Sequence, residues 1–135
     1  MPATEPPISA ESQVSKLARI AAWVLTVAII ILSLVPPGLR PETSAPHSLE
    51  HFTIYAATGF AFGLGYKHRH DLLAILLVIS TGCIEIAQLF VPGRHARLSD
   101  FIIDAIAACI GLVFASLFSL ACSRLPDFRT RREFH

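Results

Sequence analysis

The chain alternates long apolar runs with short polar breaks. Four runs stand out: Leu17–Val35, roughly Leu49–Tyr66, Leu72–Val91 and Phe101–Cys122. About 20 apolar residues cross the hydrocarbon core of a bilayer as a helix, with a range of about 17–25. The first, third and fourth runs fit that length. The second is the most polar, with Thr53, Tyr55 and Thr58 among small residues, so a re-entrant or interfacial segment is its alternative reading. The pattern predicts an all-α integral membrane protein, an antiparallel bundle of four transmembrane helices.

The flanks differ in kind. Residues 1–15 are rich in Pro, Ser and Glu, lack an apolar period, and read as a disordered tail. Residues 16–122 form the predicted membrane domain, and 123–135 a basic polar tail. The first run is longer than the 7–15-residue core of a signal peptide, and VPPGLR has no small-x-small cleavage site. A retained helix is expected there.

Composition agrees with the pattern. Hydrophobic residues make up 53% and charged residues 16%, with a mean hydropathy of +0.59. A soluble domain carries about 25% charged residues. A net charge of +1 argues against nucleic acid as the main partner. Cys83, Cys109 and Cys122 all lie in apolar runs without metal-ligand spacing and are expected to be small buried hydrophobes.

Basic residues orient the bundle. With four spans, one side holds Lys16, Arg19, Lys67, Arg69, Arg124, Arg129, Arg131 and Arg132. The other holds only Arg40, Arg94 and Arg97. The bias predicts an inner-membrane protein with both termini cytoplasmic, and puts the segments 36–48 and 92–99 outside.

Candidate chemistry gathers at that outer border. In the third helix Thr81, Glu85 and Gln88 fall on one face. Glu85 lies seven residues before Pro92, roughly 10 Å below that end. In the fourth, Asp100, Asp104, Ala107 and Gly111 share a face, flanked by Ala108 and Ala115, which permits close helix approach. In the second, His51, Tyr55 and Thr58 align, with Glu50 beside them and a Gly59/Gly63 pair nearby. An acid at mid-membrane costs about 2.5–3.5 kcal/mol on insertion scales. Glu85 and Asp104 should therefore face each other, water, or Arg94 and Arg97. Two readings follow. One is structural: Ser99 or Asp100 caps the fourth helix and a Glu85–Arg97 ion pair staples the turn. The other is a polar pocket open to the outside, made by His51, Tyr55, Glu85, Gln88, Arg94, Arg97, Ser99, Asp100 and Asp104. His68 and His70, in the KHRHD turn, read as solvated loop residues.

These residues resemble the VanZ-like family of small bacterial membrane proteins over roughly residues 17–121. The resemblance rests on SLEHFTIYAATGF with His51 and Tyr55, on E-x-x-Q with Glu85 and Gln88 before a Pro, and on the spacing of Arg94, Arg97, Ser99, Asp100 and Asp104. The chain departs from the family pattern in having Pro46-His47-Ser48 where a basic residue is common, Asp104 where Asn is common, and Ala107 for Gly. The resemblance implies a multi-pass membrane protein with an outward polar cluster, acting at the cell envelope. Its link to glycopeptide resistance is through the family's namesake, a protein associated with teicoplanin resistance, and does not imply that this chain confers it.

Three functions are open on the residues. The first is a binding or accessory role for an anionic amphiphile, a lipid or cell-wall precursor, gripped by Arg94 and Arg97. The second is an enzyme on a lipid-linked substrate with His51 or Glu85 as acid or base; no GxSxG or reactive-Cys signature supports a nucleophile. The third is a small transporter, against which the off-centre position of the acids counts. Membrane lipids are the expected partners, with no cofactor and no metal.

Overall fold

The computed structural model describes residues 10–36, 46–94 and 97–124. They form four helices and, among the described residues, no strand: α1 (Ala10–Leu34), α2 (His47–Gly65), α3 (His70–Gln88) and α4 (Leu98–Arg124). The predicted four-helix, all-α fold is the observed one. By length and composition α1, α3 and α4 can cross a membrane. The more polar α2 does not meet that standard, yet it matches α3 in length at 19 residues, roughly 28 Å of helix.

The boundaries correct the sequence reading in two places. The first helix starts at Ala10, inside the segment read as a tail, because Ala10, Glu11 and Gln13 are good helix formers and carry the helix of the apolar run back by about two turns. The other is at the α2–α3 turn, where Tyr66–Arg69 is so short that α3 begins at His70.

The core is the crossing of α2 and α4. These helices run parallel, since His51 meets Asp104 and Gly63 meets Ala115. Their backbones touch. A Cβ on Gly59 would collide with the Ala108 carbonyl, and one on Gly111 with the Ala56 carbonyl. Lipid tails are as apolar as leucine, so helices in a bilayer associate through such close van der Waals packing rather than hydrophobic burial. Helix α1 lies antiparallel against α2, with Ala22 and Ile29 in a core that includes Phe62, Ala107 and Leu112. Helix α3 is the most loosely held: it packs less closely on α4 than α2 does and barely meets α1 or α2. The outward faces are apolar, as at Trp23, Val27, Ile75, Ile79, Phe114 and Phe118.

This topology gives the bundle two unlike ends. At one, Arg19 donates from Nε to the Gly65 carbonyl (2.8 Å) and lies over the Tyr66 ring. His70, expected in solvent, is half-buried there. Its Nε2 donates to the Gly63 carbonyl (3.1 Å), and its Nδ1 lies 2.9 Å from the Ser116 hydroxyl. His68 is exposed, as expected. At the other end, the last turn of α1, the start of α2, the end of α3 and the start of α4 converge on the polar residues.

The cysteines also differ from expectation. Cys83 and Cys122 are exposed and Cys109 is partly so. They occupy apolar positions on the outer surface, where hydrocarbon is as accommodating to a thiol as a core would be.

Candidate functional site

The polar end is built on one pair. Asp104, 1% exposed, accepts from His51 Nδ1 at 3.0 and 3.2 Å through its two oxygens. The pair joins α4 to α2 one turn in from both helix starts. Tyr55, one turn further along α2, stacks on the His51 ring at 6.2 Å between centroids. Its hydroxyl interacts with the Asp104 carboxylate and with the Ser33 hydroxyl of α1. The carboxylate ties α4 to α2, and Tyr55 carries the connection on to α1.

Helix α3 supplies the fourth wall through a buried face of Leu77, Thr81, Glu85 and Gln88. The spacing of four, four and three residues keeps them in one stripe. Thr81 satisfies its own hydroxyl on the Leu77 and Val78 carbonyls. Glu85 accepts the backbone N–H of Arg97 (3.2 Å) and lies within electrostatic reach of His51, Asp100 and Asp104. Arg97 immediately precedes α4, so its N–H is one of the donors a helix start leaves open. Glu85 therefore does across the turn what the acid of a capping box does within one helix. Gln88 is 4% exposed; its side-chain amide makes no hydrogen bond among the described residues and is not sealed from the surface.

The remaining predicted residues scatter. Arg94 reaches across to α1: its Nη2 donates to the Leu32 (2.7 Å) and Val35 (3.3 Å) carbonyls, closing the C-terminus of α1. A guanidinium there meets both the open carbonyls and the negative end of the helix dipole. Arg97 is exposed and its guanidinium forms no ion pair among the described residues, so the expected Glu85–Arg97 staple is made by the Arg97 backbone N–H instead. Ser99 bonds Asp100 (3.1 Å) within the first turn of α4, and neither is the residue preceding the helix. His95 falls outside the described residues. Among the described residues no three His, Cys, Asp or Glu gather to hold a metal ion.

The structure thus brings together His51, Tyr55, Glu85, Gln88 and Asp104, with Asp100 near and Arg97, Ser99 and Arg94 around them. It adds Ser33, which the sequence reading missed. The available signal was its position on the inward stripe Ala22, Ile29, Ser33 of an otherwise lipid-facing helix.

Residues 47–119 match the VanZ/LLP1 family. The chain belongs to the VanZ/LLP1 family. The match covers α2, α3 and most of α4, and leaves α1 outside, a narrower span than the 17–121 of the sequence resemblance. No curated protein and no solved structure matches the chain. The VanZ/LLP1 region contains every member of the polar cluster except Ser33. The family match and the apolar helices together make this a VanZ-like membrane protein.

Proposed function

We propose that this chain is a multi-pass protein of the inner membrane whose polar cluster, at the outer face, binds the polar head of an amphipathic envelope ligand. All four helices cross, α2 included, and both termini are cytoplasmic. The basic-residue asymmetry supports that orientation. The observation that carries the binding role is Gln88. Its amide lies on a buried face, makes no hydrogen bond among the described residues, and still reaches the surface. A chain keeps such a group at membrane depth when something other than folding uses it. Gln88 sits on the Glu85 face, beside a cluster already held in position by His51, Asp104 and Tyr55.

The ligand is a lipid or a cell-wall precursor, and the family's association with glycopeptide resistance makes such a precursor the first candidate. Catalysis on a lipid-linked substrate is the second reading. It is favoured by the His51–Asp104 pair, because a carboxylate on Nδ1 fixes the imidazole tautomer in the way hydrolase dyads do.

The test is to purify wild type, Glu85→Gln, Arg97→Ala and Asp104→Asn, and to compare their melting in detergent with the lipids each retains. Folded variants that lose one anionic lipid or precursor support binding. Variants that melt early with an unchanged lipid profile sink it, and leave a structural staple.

A further inference from the structure

The seam between α3 and α4 is the open side of the bundle, and two grooves lie along it. Near the polar end, a groove of about 310 Å³ has walls of Ile86, Leu89, Leu98 and Phe101 and takes its polar atoms from Glu85 and Arg97. One turn further along both helices, a second of about 420 Å³ runs between Val78 and the α4 face from Ala105 to Phe114, and its lining is wholly apolar. Gly82 stands where they meet: a Cβ there would only touch the Phe101 ring, at 3.5 Å, so the seam is not pinched shut. Both volumes fall in the range of about 300–1,000 Å³ typical of ligand sites. From Leu98 to Phe114 the helix rises roughly 24 Å, against a hydrocarbon core of about 30 Å.

We propose that this seam seats one acyl chain of a membrane phospholipid, with the phosphate at Arg97. The head-group half rests on the reading of the polar cluster as a ligand site. Charge complementarity identifies the occupant. The Arg97 guanidinium is exposed at the mouth of an apolar slot and makes no ion pair among the described residues. A guanidinium matches a phosphate bidentately, while the walls below it make no polar demand and suit a saturated hydrocarbon chain. Glu85 acts as a positioning residue: by accepting the Arg97 N–H it fixes the start of α4, and with it the mouth of the slot.

The test uses a phosphatidic acid carrying a diazirine in one acyl chain, in phosphatidylcholine vesicles containing the full chain. After illumination, adducts are mapped by mass spectrometry. Labelling should concentrate on Val78, Cys109 and Phe114 over the outer face of α1 at Trp23 and Ile31. Ala105→Trp should abolish seam labelling and leave α1 labelling intact. Val113→Trp, at an exposed position of the same slot, should do so where Ala105→Trp fails to fold. Arg97→Ala should reduce seam labelling by about tenfold for this probe, the loss of one charge-assisted contact, and leave unchanged the labelling by a diacylglycerol probe that lacks the phosphate. Uniform labelling of seam and α1 overturns the proposal, since that is ordinary solvation by lipid. A dimer that disappears in the tryptophan variants also overturns it, by making a second copy the occupant. The two readings fail separately. A lost seam gives uniform labelling with the cluster's ligand still bound, and a lost cluster gives a wild-type lipid profile in Glu85→Gln.

Discussion

His51 on α2 and Asp104 on α4 meet at 3.0 Å, both almost fully buried, and this contact fixes how the two central helices enter the bundle. The small-residue crossing further along brings the same helices into backbone contact. Close packing sets their distance, and the polar pair sets their register.

Removing one partner leaves the other buried and unsatisfied. Asp104→Ala and His51→Ala should each lower stability by roughly 1–3 kcal/mol. Asp104→Asn keeps an acceptor for His51 Nδ1 and should cost less than Asp104→Ala. A double-mutant cycle on detergent-solubilised protein checks the pairing: His51→Ala and Asp104→Ala should be non-additive. Additive losses would mean that the two residues act independently.

The α2–α4 crossing predicts a contrast between glycines. Gly111→Ala drives a methyl into the Ala56 carbonyl and the Phe60 amide, whereas Gly82→Ala makes only ordinary contact with Phe101. Overpacking costs typically about 1–3 kcal/mol, and a tolerated site stays within about 0.5 kcal/mol. Thermal melting of the two variants side by side should show an early transition for Gly111→Ala alone.

Arg94 should behave as a helix cap. Arg94→Ala exposes the Leu32 and Val35 carbonyls and should cost about 1 kcal/mol. Hydrogen exchange should quicken in the last turn of α1 and stay unchanged in α3, although Arg94 lies next to α3 in sequence.

At the opposite end, His70→Ala should destabilise the bundle by severing α3 from Gly63 and Ser116, and His68→Ala should be neutral. Equal melting temperatures for the two variants would return His70 to the solvent.

The four helices were legible because run length and polar breaks are properties of the chain itself. The inward stripes were legible for the same reason: Thr81, Glu85 and Gln88, or Asp104, Ala107 and Gly111, follow from helical spacing. Arg94 and His70 were not. Their partners are backbone carbonyls on other helices, and a carbonyl has no residue type to announce it. Arg97 misled for a related reason, since its N–H, not its guanidinium, meets Glu85. The cysteines misled because hydropathy does not separate a lipid-facing position from a buried one. Ser33 was concealed by being a single hydroxyl in a long oily run.

The central claim is that the cluster keeps the Gln88 amide for a ligand rather than for the fold. Gln88→Leu tests it most directly. Replacing an amide that makes no hydrogen bond in the fold with an apolar side chain of similar size should leave the melting temperature unchanged or raised. The same protein, examined by native mass spectrometry, should lose the amphiphile that wild type retains. A variant that melts early, or one that keeps the wild-type complement of bound lipid, would contradict the account.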